Sequence, residues 1–239
     1  MPGLRVALEY LTHGRAGAVS KVAVAIMAKV PRPGAVKTRL CPPLLAAEAA
    51  ALYRCFLLDK IASVGALADA HPVIAYTPED AQAEVSSLAP GFALVAQRGP
   101  DLGARLYATL GNLLDAGHPA AIAVDSDTPT LPLDFLQQGV DLLSRPGPDV
   151  VLGPTEDGGY YLIGVRAMHR ELFEDVPWST SEVLEVTLRR AAKAGLETAR
   201  LPSWFDVDTA DDLERLRASL ADAPAAASRT SGWLASRRP

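Results

Sequence analysis

The sequence predicts a three-layer αβα sandwich built on a mostly parallel, mixed β-sheet. Short β-branched and Ala-rich runs alternate with longer segments of helical periodicity along most of the chain, which is typical of α/β layers. Several runs are apolar throughout, as expected for strands buried on both faces. The chain has 239 residues, of which 49% are hydrophobic and 21% charged, so one large domain with a sizeable core is expected and global disorder is not.

Seven strands and six helices are predicted in alternating order. The strands are expected at residues 21–27, 72–77, 92–97, 120–127, 149–154, 160–165 and 196–201. The helices, where Ala and Leu recur at helical spacing, are expected at 44–64, 79–88, 101–116, 133–144, 181–194 and 210–220. The candidate helix caps are Asp101, then Ser179, Thr180 or Ser181, and finally Asp208 or Thr209.

We expect a single α/β domain over residues 21–220. Residues 1–20 are a poorly determined leader, and residues 221–239 are rich in Ala, Ser and Arg and predict a loose tail. No pattern marks an interdomain linker or an internal repeat.

Charge and cysteine usage exclude several classes of partner. The net charge is −5 and no long basic run is present, so a broad nucleic-acid surface is not expected. No apolar run reaches the length that spans a membrane, so no membrane partner is expected. Cys41 and Cys55 form no CxxC motif, which favours a reducing, cytoplasmic location.

A cationic loop, AKVPRPGAVKTRL, follows the first predicted strand. It carries Lys29, Lys37 and Arg39 and lies where phosphate-binding loops occur, although it is neither a Walker A loop nor a GxGxxG motif. Gly34 permits unusual backbone angles, and Lys37 and Arg39 can converge on phosphate oxygens. The alternative is a solvent-facing loop.

Two pairs of carboxylates predict a metal site. Asp125 and Asp127 end the fourth strand in VDSDTPTL, and oxygen ligands at this spacing suit Mg²⁺ or Mn²⁺. Asp206 and Asp208 precede the last helix in WFDVDT, where one carboxylate can reach across the sheet and complete that site. The alternative for each pair is helix capping.

Two glycine-containing segments can approach a ligand. In GPTEDGGYYLIG, the turn at Asp157, Gly158 and Gly159 predicts a hairpin, or else a backbone that contacts a ligand while a carboxylate meets its hydroxyl groups. The segment QRGPDLGARL offers four residues that can read a base or a sugar: Gln97, Gly99, Gly103 and Arg105.

These blocks, together with PWST and DVDTADDL, resemble the signature blocks of the DUF2064 transferases. That family belongs to the nucleotide-diphospho-sugar transferase (GT-A) superfamily, and the blocks occur in family order over about residues 21–216. The resemblance implies a GT-A-like sandwich with a mixed seven-stranded sheet. It is specific for the family and the fold, and much less so for the substrate.

The resemblance also implies roles for individual residues. Lys29, Lys37 and Arg39 would hold phosphates, Asp127 would hold the metal, and Asp208 would be its second ligand. The family often has Gly-Ser-Asp where this chain has Asp125-Ser126-Asp127, so Asp125 is either an added ligand or a structural substitution. The full set of predicted nucleotide- or substrate-binding residues is Lys29, Gly34, Thr38, Gln97, Asp101, Gly103, Arg105, Asp157, Gly158, Gly159 and Tyr160.

The expected function is metal-dependent nucleotidyl transfer, with Lys37, Arg39 and Asp127 as catalytic residues and Mg²⁺ or Mn²⁺ as cofactor. A phosphorylated small acceptor, such as a sugar phosphate or phosphonate, would attack a nucleoside triphosphate and release pyrophosphate, which needs no Ser-His dyad. The alternatives are a GT-A glycosyltransferase that uses a nucleotide sugar, with a base such as Asp157, and a non-catalytic nucleotide-binding protein. The sequence leaves open whether the protein forms a homodimer.

Overall fold

A seven-stranded mixed sheet organises residues 21–237, the part of the chain that the computed structural model describes. Its strands are β1 (Val22–Lys29), β2 (Ala70–Thr77), β3 (Ala93–Ala96), β4 (Ala121–Val124), β5 (Val150–Pro154), β6 (Tyr160–Val165) and β7 (Thr198–Arg200). The order across the sheet is β3-β2-β1-β4-β6-β5-β7. Strand β6 is antiparallel to β4 and β5, and the other neighbouring pairs are parallel.

Helices cover both faces of this sheet. They are α1 (Ala46–Gly65), α2 (Gln82–Leu88), α3 (Leu102–Asp115), α4 (Leu133–Ser144), α5 (Val183–Lys193), α6 (Ala210–Asp222) and α7 (Ser228–Ala235). Side chains of β1 alternate between two apolar layers: Val24 and Ile26 join the layer with α1, α2 and α4, whereas Ala23 and Ala25 join the layer with α3 and α5. The predicted three-layer sandwich is confirmed.

Two of the three predicted helix caps are confirmed. The Asp101 carboxylate accepts a hydrogen bond from the Ala104 backbone at 2.8 Å, and Thr209 caps α6 in a reciprocal pair with Asp212. The predicted cap of α5 is wrong, because Glu182 takes the N-cap position and its side chain makes no capping hydrogen bond.

The chain end differs from the predicted loose tail. Residues 228–235 form α7, whose first backbone amides are capped from a distant helix: the Asp59 carboxylate on α1 accepts from the Arg229 nitrogen at 3.0 Å and from the Thr230 nitrogen at 2.9 Å. Leu234 is buried on the same apolar cluster as Phe56. The composition of this segment does not predict a helix, because the carboxylate that caps the helix lies in another part of the chain. The predicted leader, residues 1–20, lies outside the described residues.

None of the helices within residues 21–237 combines the length and the apolarity that a bilayer crossing requires.

The segment after β7 carries acidic residues across the sheet. It continues beside β5, with Leu201 donating to Leu152 at 2.8 Å and Trp204 donating to Pro154 at 3.1 Å. The Val207 nitrogen then donates to the Asp127 carbonyl at 3.0 Å. This last bond joins the segment to the loop after β4 and brings Asp208 beside Asp127.

Candidate active site

A cavity of about 480 Å³ opens beside the carboxyl ends of β1 and β4. Such a volume is typical of small-molecule sites, and open α/β sheets bind ligands at this edge. Its charged lining residues are Lys29, Lys37, Arg39, Arg105, Asp125, Asp127 and Asp208. The structure therefore brings together the cationic loop and both acidic segments that the sequence analysis singled out.

Lys37 lies at the centre of the charged groups. Its Nζ is 2.7 Å from Oδ1 of Asp127 and 2.7 Å from Oδ1 of Asp208, and its side chain is only 4% exposed. Burial alone would lower the pKa of Lys37, but the two carboxylates outweigh burial and raise that pKa. Lys37 is therefore a permanent cation that links the loop after β1 to two acidic segments.

The backbone of the cationic loop directs Lys37 inward. Lys37 has left-handed angles, φ 48° and ψ 39°, which are uncommon for a residue with a side chain. Val36 and Leu40 are buried on either side of it, and the Leu40 nitrogen donates to the Lys37 carbonyl at 3.0 Å. Apolar anchoring of its neighbours thus holds Lys37 in an unfavourable conformation, a situation that is frequent at functional sites.

A buried lysine that the sequence analysis missed holds Asp125. The Nζ of Lys60, on α1, is 2.6 Å from Oγ1 of Thr128 and 3.3 Å from Oδ1 of Asp125. The Thr128 hydroxyl donates to the same Asp125 oxygen at 2.6 Å. Burial lowers the pKa of Lys60, although the charge of Asp125 opposes this shift. Burial raises the pKa of Asp125, although the charge of Lys60 opposes that shift. Asp125 lines the cavity with one oxygen committed to this network.

Tyr53 fixes the same acidic loop from the same helix. Its hydroxyl lies 2.9 Å from Oγ of Ser126, which in turn donates to the Met27 carbonyl at 3.0 Å. Burial and the nearby Asp127 carboxylate raise the pKa of Tyr53 to about 12, so the hydroxyl stays protonated. Tyr53 and Lys60 are seven residues apart, which places them on one face of α1. A polar pair at that spacing in an apolar helix was the signal available in the sequence.

The remaining cations lie toward the mouth of the cavity. Arg39 is 70% exposed, with Nη1 3.6 Å from Oδ2 of Asp208. Lys29 and Arg105 are exposed or half-buried in the lining, and Thr38 joins them there. Gln97 also lines the cavity, but its Nε2 donates to two backbone carbonyls, at 3.1 and 2.7 Å, and ties the ends of β1 and β2 together. Lys29 and Arg39 are the exposed cations of the lining, whereas Nε of Arg105 donates to the Gly99 carbonyl at 3.0 Å.

The other predicted binding residues lie outside the lining of this cavity: Gly34, Asp101, Gly103, Asp157, Gly158, Gly159 and Tyr160. Several have structural contacts instead. Asp157 accepts from the Gly159 nitrogen at 3.0 Å, within the predicted turn between β5 and β6. Gly158 has φ 92° and packs against the backbone of Ser181. Their binding roles stay predictions.

Gly103 offers a direct test of such a packing role. A Cβ added there would lie 2.4 Å from Nε1 of Trp178, so Gly103→Ala is expected to lower the free energy of unfolding by about 1–3 kcal/mol. Gly232→Ala is the matched control in α7, where no atom lies within 4 Å and the loss of a helical glycine is expected to stabilise by up to about 1 kcal/mol. Urea denaturation measures both. Equal effects of the two substitutions would argue against the packing role.

Asp206 is a carboxylate with a perturbed titration. Burial, followed by the charges of Asp157 and Asp208, raises the pKa of Asp206 to about 7. An unfolded aspartate titrates near pH 4, so between about pH 4 and 7 the folded state keeps a proton that the unfolded state loses. Asp206 therefore makes the protein less stable as pH rises through this window.

Asp206→Asn is expected to remove that loss of stability. In EDTA, the melting temperature of the variant should rise relative to wild type from pH 4 to pH 7 and then level off. Melting curves across this pH range measure the difference, and Asp222→Asn, an exposed position, serves as the control. A difference between Asp206→Asn and wild type that stays constant with pH would contradict the assignment.

Asp127 and Asp208 present the kind of oxygen ligands that a divalent cation prefers. Their Oδ1 atoms each lie 2.7 Å from one nitrogen, so they are no more than twice that distance apart. Carboxylate oxygens suit Mg²⁺, which usually takes one or two protein carboxylates and completes its shell with substrate phosphates and water. Residues 21–237 contain no cluster of three or more His, Cys, Asp or Glu side chains arranged for a metal. A two-carboxylate site completed by a ligand fits what is present.

The fold and the charged cavity at the strand ends define an α/β protein of the nucleotide-diphospho-sugar transferase type. The chain belongs to the DUF2064 family, whose description is "Uncharacterized protein conserved in bacteria (DUF2064)"; residues 60–180 match it. A structure described as a "putative nucleotide-diphospho-sugar transferase" from Desulfovibrio desulfuricans G20 is 33% identical and has a TM-score of 0.84. The match covers 90% of this chain and 94% of that one.

More distant structures share the fold alone. A CMP:2-keto-3-deoxy-manno-octonic acid synthetase complexed with CTP is 14% identical, with a TM-score of 0.55 over 84% of this chain and 99% of that chain. A 4-diphosphocytidyl-2C-methyl-D-erythritol synthase from Anaerococcus prevotii DSM 20548 is 10% identical, with a TM-score of 0.54 over 87% and 100%. Comparison with curated protein sequences finds no match.

Proposed function

We propose that the protein is a metal-dependent nucleotidyltransferase that joins a nucleoside monophosphate, taken from a nucleoside triphosphate, to a small phosphorylated acceptor. The observation that carries the proposal is the meeting of Lys37, Asp127 and Asp208 in one cavity of nucleotide size. Cations that bind phosphate and paired carboxylates that suit Mg²⁺ are the two requirements of a metal-nucleotide site. The fold shared with a synthetase described in complex with CTP supports the same class of reaction.

The residues of this chain supply positioning and charge. Lys29, Arg39 and Arg105 would bind the triphosphate at the mouth, and Lys37 would reach phosphate oxygens from inside. A divalent cation held by Asp127 and Asp208 would neutralise charge on the phosphates when bound. An acceptor phosphate oxygen would attack the α-phosphorus, the bond from the α-phosphorus to the bridging oxygen would break, and pyrophosphate would leave. The acceptor is already an anion, so this reaction requires no protein base.

Glycosyl transfer from a nucleotide sugar is the second candidate. The observation in its favour is the 33% identity to the chain described as a "putative nucleotide-diphospho-sugar transferase". The same cavity would then hold the diphosphate of the donor, and the bond that breaks would be the one between the sugar and the diphosphate. The leaving group would be a nucleoside diphosphate instead of pyrophosphate.

Product analysis separates the two reactions. The purified protein is incubated with Mg²⁺, the common nucleoside triphosphates and a panel of sugar phosphates, and in parallel with nucleotide sugars and sugar acceptors. Pyrophosphate formed only in the presence of an acceptor supports nucleotidyl transfer, and nucleoside diphosphate formed from a nucleotide sugar supports glycosyl transfer. Nucleotide binding without either product would favour a non-catalytic binding protein and contradict the proposal.

A further inference from the structure

We propose that Lys37 occupies the place of the divalent cation while the cavity is empty, and that nucleotide phosphates draw it away, so that metal and nucleotide bind as a coupled pair. This inference rests on the proposed function and concerns how the same site fills. It starts from the position of Lys37, whose Nζ contacts Asp127 and Asp208 at 2.7 Å each.

Lys37 and a divalent cation compete for the same two oxygens. Mg²⁺ binds carboxylate oxygens at about 2.0–2.1 Å, closer than the 2.7 Å at which the ammonium contacts Oδ1 of both residues. A cation bound to both oxygens would therefore lie against Nζ, with like charges in contact. A cation that binds these same two oxygens therefore requires Lys37 to release at least one carboxylate.

Release of Lys37 without a new partner is unfavourable. Its side chain is 4% exposed, and a buried ammonium that loses its counter-charges keeps the full cost of desolvation. A triphosphate in the cavity offers Lys37 anionic oxygens in exchange, since Lys37 lines the same space. Charge balance is then kept on both sides: the carboxylates face the divalent cation and the ammonium faces phosphate. Binding of one ligand lowers the cost of binding the other, and this coupling is reciprocal.

The loop is built so that the ammonium can move while the backbone stays. Val36 and Leu40 anchor the loop in an apolar cluster that also contains Phe56. The ammonium of Lys37 is connected to this anchored backbone by a flexible four-carbon stem. The exchange we propose is a rotation of this side chain, with Val36 and Leu40 kept in place.

Removal of the Lys37 charge should therefore tighten metal binding while it removes a phosphate contact. The probe is Mn²⁺ alone, followed by the loss of the free-ion signal in electron paramagnetic resonance. Lys37→Met is expected to bind Mn²⁺ about tenfold or more tightly than wild type, as typical coupling between sites implies. Lys29→Met removes a cation from the same cavity lining and should change Mn²⁺ affinity much less. Affinity in Lys37→Met equal to or weaker than in wild type would overturn the inference.

A second variant and a second readout keep this test decisive. Lys37→Gln replaces Lys37→Met if the latter does not fold, and the rise in melting temperature between EDTA and Mn²⁺ should be larger in either variant than in wild type. Equal rises would also overturn the inference. Asp127→Asn in the Lys37→Met background should abolish the gained Mn²⁺ binding. If Mn²⁺ binding persists in that double variant, the metal site of the proposed function fails as well. If Lys37→Met shows no gain in Mn²⁺ affinity but Mn²⁺ binding by the wild type still depends on Asp127, only the coupling is overturned.

Discussion

Asp127→Asn is expected to lower the turnover number by about 10²–10³-fold, the usual effect of removing one preorganised charged contact. The substitution keeps the shape of the side chain but removes the negative charge that faces Lys37 at 2.7 Å and that would hold the metal. Asp208 still pairs with Lys37, so the variant should fold. Pyrophosphate release at saturating Mg²⁺ and nucleotide measures the effect, and circular dichroism checks the fold.

The control for this substitution is Asp134→Asn. Asp134 is an exposed aspartate in the first turn of α4, away from the cavity lining, and its loss should leave turnover within about twofold. Asp208→Asn should resemble Asp127→Asn, because both carboxylates contact the same ammonium. A folded Asp127→Asn protein with turnover like that of Asp134→Asn would remove Asp127 from the reaction.

Lys60→Met is expected to lower the free energy of unfolding by about 3–5 kcal/mol. Lys60 is 2% exposed and is held by Asp125 and Thr128, so the substitution leaves the Asp125 carboxylate without its buried cation. The double variant Lys60→Met/Asp125→Asn removes both charges and should be markedly more stable than the sum of the two single effects implies. Urea denaturation of the four proteins gives the coupling directly.

An exposed lysine provides the comparison for Lys60. Lys193→Met, at the exposed end of α5, is expected to change stability by no more than about 0.5 kcal/mol. Strict additivity of Lys60→Met and Asp125→Asn would show that the 3.3 Å contact contributes nothing to stability. In that case the hydrogen bond from the Thr128 hydroxyl at 2.6 Å would be the contact that holds Asp125.

The sequence was sufficient for the layers of the fold and for the chemistry of the cavity edge. A short apolar run rich in β-branched residues, such as VAVAIM, predicts a strand buried on both faces, and β1 with the layers on both sides of it confirms this. Loops at the carboxyl ends of such strands share one edge of the sheet, so Lys37 after β1 and Asp127 after β4 were expected to meet. Their contact at 2.7 Å bears out that expectation.

The sequence was not sufficient where a residue's partner is set by tertiary contacts. Lys60 is part of an apolar helical stretch, and nothing local shows that its ammonium meets Asp125 across the core. The same holds for Asp59, whose carboxylate caps α7 from 170 residues away along the chain. The sequence left two explanations for the turn at Asp157, a hairpin turn or a backbone that contacts a ligand. The hydrogen bonds of Asp157 within the hairpin support the first.

The central claim is that one cavity, bounded by Lys37, Asp127 and Asp208, holds a metal-bound nucleotide. Calorimetric titration of nucleoside triphosphates with Mg²⁺ into the wild-type protein and Asp127→Asn tests it most directly. At least one triphosphate is expected to saturate the wild type and to bind Asp127→Asn about tenfold or more weakly. Equal affinity for both proteins, or no binding of any triphosphate to the wild type, would contradict the account.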